Sequence, residues 1–268
     1  MSSLKLFNDF VPQSVEEGSV RPMDDGRKIV FLNHGSDRTP IMLQTSVLRT
    51  IKGLEANDFN GVTKYTMELA LTPDDVEYQK LKEFDERIID LAANSKNKWI
   101  TTKNGSVPTK EFLQEVYSPS LKIPRDKNTG EVSDRWPPTF KINLPQKYGT
   151  SEFDFELWDS NRQRMNIMDF ISSGQSRNAQ VTVILRCSGI YTSGKGFGTT
   201  WKAQQILVHS TGRANIGSFA FLNAERILDN SAYPPAAPTL GASSAGTSSY
   251  SAPAPVPVDE DEYIDDSD

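Results

Sequence analysis

The 268-residue chain contains one cysteine, Cys187, and two histidines, His34 and His209. A lone cysteine excludes an internal disulfide framework, and so few sulfur and imidazole donors leave a zinc site without ligands. No apolar run approaches the roughly 18 residues of a membrane-spanning helix, so no membrane association is expected. The first ten residues carry Lys5 and Asp9 and lack an apolar core segment. That pattern is not a secretory signal, and the expectation is an intracellular protein.

Catalytic signatures are equally scarce. HExxH, GxSxG and a Cys/His nucleophile pair are all missing, so neither an enzyme nor a cofactor is expected. Residues Gly189 to Gly196, GIYTSGKG, follow the phosphate-loop pattern as far as Gly194-Lys195. They depart from it at Gly196, where a Ser or Thr hydroxyl is needed for magnesium, and the following residues favour a strand over the required helix. A glycine-rich hairpin turn exposing Lys195 and Phe197 is the simpler reading. Cys187 falls on the apolar face of a strand and reads as a small buried residue.

What the chain does have is an uneven distribution of charge. The formal net charge is -6, but the last basic residue is Arg226, and eight acidic residues follow it. Residues 1–226 therefore hold 29 basic and 27 acidic side chains, a net of +2. One segment, Asp74 to Asp90, itself contributes -4, which leaves +6 for the rest of that body. Residues 231–258 carry no charge and six of the 16 prolines, and are otherwise mostly Ala, Ser and Gly. This composition buries too little apolar area to offset its ordering entropy and reads as a disordered linker. Beyond it lie seven carboxylates within ten residues: Asp259, Glu260, Asp261, Glu262, Asp265, Asp266 and Asp268, with Tyr263 among them. A metal site in this run would lack fixed coordination geometry, so a solvated tail is expected. The organisation predicted is a domain over 1–228, a linker over 229–258 and an acidic tail over 259–268.

Within the body, short β-like runs recur at 28–32, 41–51 and 63–71. In the last, Thr63, Tyr65, Met67, Leu69 and Leu71 alternate with Lys64, Thr66, Glu68 and Ala70, the period of a half-buried strand. Thr72, Pro73, Asp74 and Asp75 then offer helix-starting chemistry, and Leu81, Phe84, Ile88 and Leu91 recur at helical spacing, which predicts a helix over about 73–93. Residues 112–123 and 136–144, separated by the polar turn at 125–130, predict a long β-hairpin. A second hairpin is predicted from 181–188 and 199–209 around the turn at 193–198. One helix among several antiparallel strands points to a mainly β fold, an OB-fold-like antiparallel barrel with one inserted helix.

Both hairpins interleave aromatic and basic residues. The first carries Tyr117, Lys122, Arg125, Lys127, Arg135, Trp136 and Lys141. The second carries Arg186, Tyr191, Lys195, Phe197, Trp201 and Lys202. This mixture suits single-stranded nucleic acid, because cations follow the phosphates while aromatic faces stack on unpaired bases. The same aromatics also suit a barrel core, Trp201 and Phe140 above all. A structural or assembly factor, such as an acidic-tailed chaperone or a virion component, is the competing class.

Three segments carry a family likeness: Tyr117 to Lys122 (YSPSLK), Trp136 to Pro145 (WPPTFKINLP), and Lys195 to Lys202 (KGFGTTWK), followed by the linker and acidic run. In this order they resemble the single-stranded DNA-binding proteins of the short-tailed coliphage type, in the version found in nucleocytoplasmic large DNA viruses. The likeness is strongest over 117–209; the first hundred residues share only a strand-strand-helix pattern. It implies an OB-fold and sequence-independent binding of single-stranded DNA in viral replication, recombination or repair, at replication sites in the host cytoplasm or nucleus. It also implies that the acidic tail competes for the DNA groove and contacts a polymerase, helicase or primase, and it leaves a homo-oligomer open. The chain departs from the phage pattern by ending in Asp268 rather than an aromatic residue, with Tyr263 and Ile264 set inside the acidic run.

Overall fold

The computed structural model describes residues 4–23, 26–35, 38–59, 62–102 and 104–212, all within the compact unit Met1–Asn215. The expected linker and acidic tail lie outside the described residues. In chain order the strands begin with β1 (Lys5–Leu6), the β2 (Val15–Pro22) and β3 (Lys28–His34) hairpin, β4 (Thr39–Pro40) and β5 (Met42–Gln44). Then come β6 (Leu48–Phe59) and β7 (Val62–Ala70), followed by helices α1 (Val76–Ala93) and α2 (Lys110–Val116). The remainder is β8 (Tyr117–Ser118), β9 (Leu121–Lys122), β10 (Thr139–Leu144), β11 (Glu156–Asp159), α3 (Ile167–Ser172), β12 (Gln180–Ser193) and β13 (Gly196–Ser210).

Five of these strands close on themselves. β6 pairs with β7, β7 with β10, β10 with β13, β13 with β12, and β12 returns to β6. The chain is therefore mainly β and built around a five-stranded ring. The ring is mixed rather than antiparallel: β10 and β13 run parallel, meeting at Asn143 and Lys202. Closure removes the exposed edges that an open sheet of this length would present. Alternation explains the inside. Phe140, Ile142 and Leu144 of β10 point inward, as do Val181, Val183, Leu185 and Cys187 of β12 and Trp201, Ala203, Ile206 and Val208 of β13. Lys141 and Asn143 consequently point out.

The helix expected over 73–93 begins later, at Val76. Residues 72–75 instead form a turn in which the Thr72 amide donates to the Asp75 carboxylate at 2.6 Å, so the proline precedes the helix. Leu81, Phe84, Ile88 and Ala92 form its buried face, and the Phe84 ring meets Trp201 at 5.3 Å between centroids. Phe140 and Phe7 complete this cluster at 5.7 and 6.4 Å from the Trp201 ring. The long first hairpin is also corrected. Residues 110–116 form α2, capped by Thr109, whose hydroxyl accepts from the Phe112 amide. Only Leu121–Lys122 pair with Thr139–Phe140, and the Arg125–Val132 bridge continues the turn. The residues of the phosphate-loop-like run lie on β12 and its turn into β13, not at a helix start.

Candidate nucleic-acid interface

The outward side chains of β10 and β13 floor a groove. A recess of about 170 Å³ is lined by Lys122, Lys141, Tyr191 and Ser120 among others, and it shares Asn143 and Thr200 with a wider one of about 820 Å³. The wider part adds Lys64, Lys147, Lys202, Tyr65 and Tyr148. Among the described residues, the two recesses together are lined by five lysines and no carboxylate. Lys147 is paired with Glu152 at 2.8 Å, whereas Lys122, Lys141, Arg186 and Lys202 take part in no ion pair among the described residues. Their charge is directed at solvent. Strand register sets their spacing: Arg186 stands opposite Lys202, Lys202 opposite Asn143, and Asn143 opposite Thr66, one row across four strands.

One buried carboxylate organises the groove's edge. Asp85 on α1 accepts a hydrogen bond from the Tyr117 hydroxyl at 2.6 Å and from the Ser120 and Leu121 amides, each at 3.1 Å. Burial raises its pKa, against the opposing pull of the Tyr117 hydroxyl and the two amides, and burial beside Asp85 raises the Tyr117 phenol well above its usual range. Ser120 in turn receives the Trp201 indole N–H at 3.3 Å and shares a 2.7 Å hydrogen bond with Thr199. The Ser118-Pro119-Ser120 wall of the groove is thereby tied to both the helix and the barrel. Tyr191 is set by a different device. Gly198 lies opposite it in the ladder, and a Cβ at Gly198 would come within 2.9 Å of both the Tyr191 hydroxyl and the Ser118 carbonyl oxygen. The missing side chain leaves the space that Tyr191 occupies at the groove.

The sequence-predicted residues separate into groups. Lys122, Lys141 and Tyr191 come together in the narrower recess, and Lys202 continues into the wider one opposite Arg186. Lys127, Arg135 and Trp136 are exposed on the 123–138 connection, with Trp136 60% accessible, and Lys195 is exposed at the β12–β13 turn. Arg125 is turned away from the groove. It lines a separate recess with Asp85 and Tyr117 and donates to the Gly130 carbonyl at 2.9 Å. Three aromatics are corrected: Tyr117, Phe197 and Trp201 are 8%, 1% and 2% accessible and pack with Trp99, Phe84 and Phe140, so none presents a face to a base. The acidic positions 259–268 lie outside the described residues.

Two aromatics escaped the sequence reading. Tyr148, fully exposed in the Lys147-Tyr148-Gly149 turn, and Tyr65, edge-on to Phe153 at 4.9 Å, both line the wider recess. An aromatic between a lysine and a glycine in a polar turn has no core to fill, and that was the available signal. Among the described residues no group of three His, Cys, Asp or Glu is placed to hold a metal ion. Burial pushes the Cys187 thiol up to about 12, so it stays protonated.

The fold and groove thus define a five-stranded β-barrel with a lysine- and tyrosine-lined outer face. No family model and no curated protein sequence matches the chain. Among solved structures it is similar to the single-stranded DNA-binding protein from bacteriophage Enc34 in complex with ssDNA, at 11% identity and a TM-score of 0.43, over 72% of this chain and 90% of that one. It is also similar to gp2.5, a single-stranded DNA binding protein encoded by bacteriophage T7, at 11% identity and a TM-score of 0.39, over 68% of this chain and 98% of that one.

Proposed function

We propose that the chain binds single-stranded DNA without regard to sequence and protects it during viral DNA replication, recombination or repair. The observation that supports this most directly is the groove, whose described lining residues include five lysines and the rings of Tyr65, Tyr148 and Tyr191 and no carboxylate. Lysines give phosphate attraction without base readout, and accessible rings stack on any unpaired base, each worth roughly 1–3 kcal/mol. No reacting group is required, so the role is binding rather than catalysis. The acidic run 259–268 is assigned as a competitor for the same lysines and as the contact for replication proteins such as a polymerase, helicase or primase.

The test is a titration of the full chain with labelled oligodeoxythymidine across a salt series. Binding is expected to weaken linearly on a log-log plot, and Lys141→Ala and Lys202→Ala are each expected to reduce the slope by about 0.7. No binding at low salt would overturn the reading and favour an assembly factor.

A further inference from the structure

The outer face of the barrel continues beyond Lys202. Further along β13 lies a second cavity of about 320 Å³, which shares none of the groove's lining residues. Its floor is Ile184 of β12 and Leu207 of β13, its rim is Gln44 and Gln205, and its wall is Trp158 with Arg162 beside it. Register fixes this arrangement: Gln44, Ile184, Gln205 and Glu156 form one row across β5, β12, β13 and β11, and Trp158 stands opposite Leu207. On the outer face that row follows the Arg186–Lys202 row, with the inward Leu185–Ala203 pair and the irregularity between Ile184 and Leu185 separating them.

We propose that this cavity is a base-stacking site for the same DNA strand, entered after the strand has crossed Lys202; the proposal rests on the reading above. A nucleobase fits the chemistry of every wall. Its faces are apolar enough for Ile184, Leu207 and the indole, and its edge carries donors and acceptors. A glutamine amide offers both donors and an acceptor, so Gln44, and Gln205 with the carbonyl oxygen and second N–H that its bond to Glu156 leaves, meet any base edge without choosing among them. Arg162 sits in the left-handed region, φ 62, in a turn that Asp159 closes by accepting from the Asn161 and Gln163 amides at 2.9 and 2.8 Å. Its exposed guanidinium is free for a phosphate. The ring itself is held in place. Arg164 lies 5.2 Å from the Trp158 centroid, and the indole N–H donates to Glu156 at 3.3 Å. Glu156, which stands opposite Gln205 in the ladder, is ion-paired with Arg164 and accepts a hydrogen bond from the Gln205 amide at 2.9 Å. It therefore offers phosphate little repulsion.

Because Trp99 and Trp201 are each 2% accessible, a Trp136→Phe full-length chain leaves Trp158 as the tryptophan that solvent can reach. Its emission is expected to be quenched by saturating oligodeoxythymidine. Trp158→Ala is expected to weaken binding of long oligonucleotides about tenfold and to leave short ones, which fill only the lysine groove, unchanged. Trp158→Tyr keeps a stacking face and should recover most of the loss, whereas Arg162→Gly, which tolerates the positive φ, should lower the salt slope for long strands only. Unquenched emission while a labelled oligonucleotide reports saturation would overturn the proposal, as would wild-type affinity of Trp158→Ala at every length. Emission that changes with protein concentration in the absence of DNA would also overturn it, by placing a second copy on the cavity. Failure of the wild-type chain to bind any oligonucleotide would instead overturn the reading on which this site rests.

Discussion

At the level of single residues, Asp85 connects the fold to the groove. Replacing it by Ala strands the Tyr117 hydroxyl and the Ser120 and Leu121 amides, all buried, and an unpaired buried donor costs about 1–3 kcal/mol. A loss of about 3 kcal/mol by denaturant unfolding is expected, with weaker DNA binding because the Ser118–Ser120 wall loosens. The pH dependence has a definite sign. The folded carboxyl holds its proton to a higher pH than the unfolded one near 3.8, so this contribution is fully present below 3.8 and is lost as pH rises through the folded value. The stability difference between wild type and Asp85→Asn, measured over a pH series, should therefore shrink with rising pH. A difference that grows would contradict the assignment. None of this was legible in the sequence, where Asp85 is one acid among seven between Asp74 and Asp90. Its burial depends on contacts with residues more than thirty positions away. Lys141 was legible, because strict alternation with Phe140 and Ile142 leaves it only one face. Trp201 was not assignable, since alternation places it on a face without revealing whether that face is the inside.

At the level of elements, the β12–β13 hairpin was legible in the sequence, and its glycines show what local reading leaves out. Gly194 has open space around its Cα, but a Cβ at Gly196 would fall 1.9 Å from the Val116 carbonyl oxygen, at φ 145. One glycine serves the turn and the other the packing of α2 against it. Gly194→Ala is expected to change stability by no more than about 0.5 kcal/mol, and Gly196→Ala to cost about 3 kcal/mol. For a domain of this size that is a fall of roughly 6–12 °C in the melting temperature, readable by calorimetry. Equal melting points would sink the distinction. The Phe112–Ile123 stretch misled for a related reason. Phe112, Leu113 and Val116 suit a short helix as well as a strand, and what decides is the cap at Thr109 and the seat for Leu113, which is fully buried. The parallel β10–β13 pairing lay out of reach of periodicity, because it joins segments about sixty residues apart.

At the level of the whole chain, the net charge of -6 separates into a slightly basic body and a run of seven carboxylates, joined by an uncharged stretch over 231–258. On the proposed reading the acidic run, being part of the same chain, competes at an effective concentration of the order of millimolar, as tethered ligands do. In that reading the acids and the DNA phosphates compete for Lys122, Lys141 and Lys202. Truncation after Val258 is expected to tighten oligodeoxythymidine binding at low salt. Its salt dependence has a direction too: salt weakens the intramolecular competitor as well as the DNA, so the full chain should lose affinity less steeply than the truncated one, and the two curves should converge as salt rises. Lys141→Ala and Lys202→Ala should narrow the gap, since they remove the charges being contested. Identical affinities at low salt would show that the acidic run does not reach the groove, and a gap that widened with salt would show that it acts by something other than charge.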